Sequence, residues 1–297
     1  MYKIASSLFS LLGISFLLSC KQSPTFETVA NGKSLLWEIS GNGLKKPSYF
    51  LGTMHLMCAD DAILSKNVIE LIRQTNQIYL EVDMDNASEL LGGMLDLFKD
   101  SDKSLQSVLS ENEYKRVKSF FDQYQPNIPF NTLEKQPPLM LSASLYELLL
   151  PCELKNGVEM KIIDEAYNQK KETKGLETVA FQASIFDTIP YEEQARELLK
   201  SIDSLPKTKQ QMEVMLRVYK QQDIEKLYSM SMEEDSTISS HADIMVYKRN
   251  QNWVDQFSAI ASKYTTLFAV GAAHLGGEKG VLKLLRAKGY TVRAIQN

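Results

Sequence analysis

The sequence predicts an α/β domain built on a central mixed, largely parallel sheet flanked by helices, with a helical insert capping the site. Three observations lead to this fold class. Apolar strands alternate with amphipathic helices near both ends of the chain, the long middle from Ala87 to Leu205 reads almost wholly as helix, and a lone strand ending in a carboxylate interrupts that middle at Thr173 to Thr178. A length of 297 residues with 44% hydrophobic content is ample for a buried core. Lys and Arg total 33 against 37 Asp and Glu, giving a net charge of −4 with no basic run, which excludes a surface built to replace phosphate counterions. Nucleic acid is therefore not an expected partner. With no Cys-x-x-Cys pair, a zinc ribbon is excluded as well.

The first element is not part of the fold. Lys3 precedes an apolar run from Ile4 to Leu18, shorter than the roughly 20 residues a membrane-spanning helix needs and ending at the small Ser19. Residues 1–19 are expected to be an export signal. Leu17-Leu18-Ser19-Cys20 resembles a bacterial lipobox, in which the Cys is acylated and the chain is cut ahead of it, so Cys20 is the candidate lipid-attachment site. A plain secretory signal with a bystander Cys is the alternative. Cleavage there leaves 297 − 19 = 278 residues and a charge of −4 − 1 = −5, since Lys3 is the one charged residue removed. Residues 20–33 are polar, carry Pro24 and Gly32, and read as a tether from the lipid to a single domain over 34–297. The expected location is the cell envelope, on the outer membrane if the source is diderm. Outside the reducing cytoplasm Cys58 and Cys152 are expected to pair as a disulfide, with two buried free thiols as the alternative.

Leu35 to Ser40 alternates as a strand, Gly41 to Pro47 supplies a turn, and Ser48 to Thr53 is the hairpin partner. Ala62 to Thr75 carries apolar residues at helical spacing, and Gln77 to Val82 returns to a strand, a unit that favours parallel strands. Helices are then expected at Ser88 to Lys99, Glu111 to Tyr124, Pro138 to Leu150, Gly157 to Lys170 and Tyr191 to Ile202. Lys207 to Met232 and Asp243 to Lys263 are further helices. The chain closes with a strand at Tyr264 to Val270, a helix at Gly280 to Lys288 and a strand at Tyr290 to Ile295.

Two of only three His stand in one local frame: Gly52-Thr53-Met54-His55 after one strand and Gly271-Ala272-Ala273-His274 after another. A Gly at a strand end permits a tight turn or a close backbone approach, and the following His can project over the carboxyl edge of the sheet, where ligands bind in open α/β folds. Glu81 and Glu177 end strands at the same edge. Two imidazoles and a carboxylate suffice to bind a divalent metal for hydrolysis, with a second carboxylate moving the proton. Capping or core histidines beside glutamates at helix starts are the alternative. His-Glu-x-x-His and Gly-x-Ser-x-Gly are absent, so zincin proteases and the usual serine hydrolases find no support. His241, in Ser239-Ser240-His241-Ala242-Asp243, receives no role, and the cluster Met212, Met215, Met230 and Met232 reads as core packing.

These motifs, with Leu80-Glu81-Val82-Asp83, Gly175-Leu176-Glu177-Thr178, Gln182, Arg249-Asn250, Trp253 and Leu275-Gly276-Gly277, resemble the TraB/GumN family, whose relatives include the TIKI proteases. The resemblance runs from about Leu35 to Ile295. It implies a metal-dependent peptidase acting on peptides or proteins, with His55, Glu81 and His274 holding Mn, Co or Zn; the lipobox adds the expected lipid anchor. Glu177 would serve as general base, Arg249 would stabilise an oxyanion or bind a substrate carboxylate, and Asn250 would donate a further hydrogen bond. Where the family often has Gly-Val-Asp, this chain has Gly157-Val158-Glu159, a position read here as packing. Two other functions stay open: a metal-independent esterase-like hydrolase using His55 or His274 as base with Glu81 orienting it, and a non-catalytic lipoprotein binding a small ligand or haem iron.

Overall fold

The structure is a computed structural model and describes residues 26–30, 32–97, 103–233 and 237–297. Cys20, the signal over 1–19 and the first part of the tether lie outside the described residues. Among the described residues there are eight strands: β1 (Leu36–Ser40), β2 (Ser48–Thr53), β3 (Met57–Cys58), β4 (Gln77–Val82), β5 (Lys155–Asn156), β6 (Thr173–Glu177), β7 (Thr266–Gly271) and β8 (Thr291–Ile295). Six of them form one sheet in the order β6-β4-β7-β2-β1-β8. β2, β4, β6 and β7 run parallel, while β1 is antiparallel to both β2 and β8. The fold is α/β with a mixed, mostly parallel sheet flanked by helices, and the strand elements at both ends of the chain share that sheet.

Of the four parallel strands, β4, β7 and β2 lie inside the sheet, and β6, with Lys174 exposed, forms one edge. β2 and β7 are buried along almost their whole length, as strands covered by helices on each side must be. Phe50 of β2 stacks on Phe268 of β7 at 4.8 Å between ring centres, and Tyr79 of β4 stacks on Phe268 from the other side at 5.7 Å. Pairing of Thr53 with Gly271 and of Val82 with Glu177 brings the carboxyl ends of β2, β7, β4 and β6 to one edge. The histidine turns and both glutamates belong to that edge.

Several helices differ from the sequence expectation. The helix expected over Lys207 to Met232 is two, Leu205–Lys220 and Ile224–Ser231. Gln222 takes a left-handed φ of 60° there, and the Asp223 carboxylate caps the second helix by accepting from the Lys226 amide at 3.1 Å. Val179–Asp187, not expected as a helix, starts where the Thr178 hydroxyl accepts from the Phe181 amide at 3.1 Å. Asp243 to Lys263 holds a π-turn at Asp243–Tyr247 before an α-helix at Lys248–Ala261. That extra residue per turn rephases the helix just before Arg249 and Asn250, and π-turns are frequent at functional sites.

The inserted helices have a core of their own around Leu105, Phe121, Phe130, Leu141, Leu145 and Leu198, separate from the cluster packed on the sheet. Cys58 and Cys152 are joined as a disulfide with 5.8 Å between Cα atoms and 94 residues between them in sequence. Beside it, β3 and β5 pair antiparallel, Met57 with Asn156 and Cys58 with Lys155. Together these fasten the turn after β2 to the segment leading into the helix Val158–Asn168. Among the described residues no helix is long and apolar enough to cross a membrane.

Candidate functional site

Glu81, on β4, lies at the centre of the cluster. Its Oε1 accepts from the Gly271 backbone amide at 2.8 Å, and its Oε2 accepts from the Arg249 guanidinium at 2.6 Å and from the Gln182 amide at 3.3 Å. Burial opposes ionisation, but the charges of His55 and Arg249 and the Gly271 N–H outweigh it and hold this carboxyl far below the usual carboxylate range. Glu177, at the end of β6, accepts from Arg249 through Nε at 3.0 Å and through Nη2 at 2.9 Å, and from Gln182 at 3.2 Å. Arg249 thus bridges two buried carboxylates, its charge reinforced by both, while its guanidinium lies over the Trp253 ring at 5.0 Å.

The two histidines are held in the same way at one nitrogen. His274 Nδ1 lies 2.7 Å from Asn250 Oδ1, and Asn250 Nδ2 donates to the Lys279 carbonyl at 2.9 Å. Because the amide oxygen faces the ring, the network assigns the proton to Nδ1 and leaves a lone pair on Nε2. Burial, opposed by Glu81 and aided by the Arg249 charge, lowers the His274 pKa to about 4, so the ring is neutral at pH 7. His55 Nδ1 lies 2.6 Å from Glu159 Oε1 and must donate, since a carboxylate only accepts. Its Nε2 stands 3.8 Å from Glu81 Oε1. Desolvation favours the neutral ring, but the hydrogen bond to Glu159 and the charges of Glu81 and Glu159 prevail and raise the pKa to about 9. With 63% of the side chain exposed, water screens part of that attraction.

Gly271 shows how closely these groups converge. A methyl group built on it would lie 3.3 Å from Glu81 Oε1 and 3.5 Å from both His55 Nε2 and His274 Cδ2. The structure therefore brings His55, Glu81, His274, Glu177 and Arg249 into one cluster around a notch that a side chain at 271 would fill. Asn250 joins it through His274; both ends of its amide are engaged, so it is not the free substrate donor expected from the sequence. Glu159, read as packing, is instead the hydrogen-bond partner of His55. The signal that could have found it was the Cys58–Cys152 pairing, which draws residues 152–159 towards the first histidine turn. Trp253, fully buried, packs on the His274 ring at 4.7 Å between centres.

Among the described residues no three His, Cys, Asp or Glu side chains stand close enough to hold a metal ion as arranged, and Arg249 Nη1 lies 3.4 Å from His274 Nε2. His241 lies elsewhere, with Nδ1 3.3 Å from the Thr237 carbonyl and Nε2 3.6 Å from Glu193. A separate cavity of about 320 Å³ among the inserted helices is lined in part by Leu145, Leu149, Met212, Met215 and Met230 and shares no residue with the cluster.

The chain matches the model of the TraB/PrgY/gumN family over residues 35–294. No curated protein and no solved structure was found to match. The matched span holds both histidine turns, both glutamates and the Arg249-Asn250 pair, and this chain belongs to the TraB/PrgY/gumN family.

Proposed function

We propose that this chain is a hydrolase of peptides or proteins that uses a divalent cation, Mn, Co or Zn, and that it acts outside the cytoplasm from a lipid anchor at Cys20. The observation that carries the reading is the pair of imidazoles, each held at Nδ1, bordering the Gly271 notch beside Glu81. His55 Nε2 and Glu81 Oε1, 3.8 Å apart, are within the roughly 4.2 Å that two donors on one ion can span at bond lengths of about 2.0–2.2 Å. Charge supports it too: Glu81 and Glu177 share the Arg249 guanidinium and Glu159 pairs with His55, three carboxylates against two cations, a surplus that a divalent cation offsets as it displaces the His55 proton.

In this reading His55, Glu81 and His274 hold the ion, whose chemistry is to acidify water and polarise an amide carbonyl. Glu177 takes a proton from the attacking water and returns it to the leaving amine. Arg249 steadies the oxyanion with the Nη1–H that faces His274 Nε2, released when that nitrogen takes the ion, its other N–H groups being held by Glu81, Glu177 and the Met245 carbonyl, and Asn250 acts by fixing the His274 ring.

One observation favours a second reading. Arg249 Nη1 already faces the His274 lone pair, where it competes with an ion, and this suits a metal-independent, esterase-like hydrolase in which His55 is the base and Glu81 orients it. The deciding experiment is elemental analysis of the full chain beside His55→Ala and His274→Ala. Near-stoichiometric metal lost in both variants supports the metal-dependent reading and justifies a peptide-hydrolysis screen with that ion. Absence of metal after reconstitution with each ion sinks it, and turnover that resists chelators then supports the second. Tight stoichiometric ligand binding without turnover would instead support a binding lipoprotein.

A further inference from the structure

We propose that Glu159 is a positioning residue that orients the His55 ring so that Nε2 faces the cleft. The inference rests on the reading of that cleft as the working site. His274 is surrounded: Asn250 holds Nδ1, Trp253 packs on the ring and Arg249 faces Nε2. His55 has none of that enclosure. Its side chain is 63% exposed, and among the described residues Glu159 is its one hydrogen-bond partner. An exposed imidazole otherwise samples several rotamers, and ordering it has an entropic cost that a fixed partner must offset.

The Glu159 carboxylate is itself fixed. It is buried, and its Oε2 has no hydrogen-bond partner, so its bonding is directed wholly at His55. The backbone around it is fastened to the histidine turn at three points: the disulfide between Cys58 and Cys152, the β3–β5 pairing, and the Val158 amide donating to the Met54 carbonyl at 3.1 Å. Gly157 completes the approach, since a methyl group there would lie 2.4 Å from the His55 carbonyl oxygen and 2.8 Å from Glu159 Oε2. A residue 104 positions away is thus held at 2.6 Å from one ring nitrogen. This is the carboxylate–histidine arrangement that fixes tautomer and ring orientation in many metal sites, and the same geometry serves a metal-free base or acid equally.

The test uses the 15N-histidine-labelled full chain, whose three His give separable two-bond 1H–15N correlations, with Glu159→Gln and Glu159→Ala variants. At a pH where the His55 ring is neutral, wild type is expected to carry the proton on Nδ1. Glu159→Gln, which keeps an acceptor oxygen, should largely preserve that tautomer. Glu159→Ala should revert to the mixture an exposed imidazole shows in water, with His274 unchanged and the melting temperature close to wild type. In parallel, Zn²⁺ and Mn²⁺ titrations should show affinity falling roughly 10- to 100-fold in Glu159→Ala and less in Glu159→Gln. An Nδ1-protonated His55 that persists in Glu159→Ala overturns the proposal, as does an ion affinity equal to wild type. If wild type binds neither ion while the tautomer still depends on Glu159, the metal-dependent function fails and the positioning role stands.

Discussion

The turns Gly52-Thr53-Met54-His55 and Gly271-Ala272-Ala273-His274 share a frame and a sheet edge, yet they produce imidazoles of opposite character. His55 is exposed, bonded to a carboxylate and pushed up to about 9; His274 is half-buried, bonded to a neutral amide and pushed down to about 4. The Gly-x-x-His frame sets where each ring goes. What each ring does is decided by its surroundings: burial and the Arg249 charge depress His274, while the hydrogen bond to Glu159 and the Glu81 charge raise His55.

The comparison can be broken most severely at the disulfide, which fastens only the His55 side. Reduction removes a cross-link between residues 94 apart, worth about 4 to 5 kcal/mol in the chain-entropy model, so denaturant midpoints should fall sharply under reductant. Histidine spectra should change first at His55. Next comes Arg249, which touches both halves of the cluster: Arg249→Met leaves two buried carboxylates unpaired and is expected to cost about 3 to 5 kcal/mol by chemical denaturation.

The two rings also bend stability with pH in opposite senses. The raised pKa of His55 gives a contribution present below about 6.5 and lost as pH rises through about 9. The depressed pKa of His274 gives one present above about 6.5 and lost as pH falls towards about 4. Melting temperature should therefore decline on both sides of that value, with His55→Gln flattening the alkaline limb and His274→Gln the acid limb. Asn250→Asp sharpens the contrast from the other direction by giving His274 a carboxylate partner. Its pKa should leave the range near 4 and approach that of His55, as read by histidine NMR titration. The smallest effect on stability is expected from Gly271→Ala, whose φ of −50° suits alanine: a change under about 1 kcal/mol, but at least a tenfold loss of Zn²⁺ or Mn²⁺ affinity as the notch fills.

Strand periodicity and the glycine turns made the sheet, its edge and the convergence of His55, Glu81 and His274 legible in the sequence. The break at Gln222 and the helix at Val179–Asp187 were not, because each depends on one side-chain cap, Asp223 or Thr178, that competes with the apolar period around it. Glu159 was hidden for another reason. Its neighbours Val158, Ile162 and Ile163 are core residues of the same helix, so local pattern gives it a packing role, and only the long-range clamp at Cys58 and Cys152 reveals its partner. Arg249 and Asn250 could be picked out as a pair, but the commitment of the Asn250 amide to His274 and Lys279 is a tertiary fact.

The place of β7 has a consequence for synthesis. Made late, from residues 266–271, it lies between β2 and β4, which were made first and have no ladder with each other. A nascent chain therefore carries two apolar strand edges for most of its translation, separated by a gap that nothing upstream can fill. The cleft cannot form piecemeal, because its floor and its second histidine arrive together after the rest of the cluster has been made. Such a chain stays open until β7 emerges, and a holding factor that shields β2 and β4 should matter more to its yield than one that accelerates local helix formation.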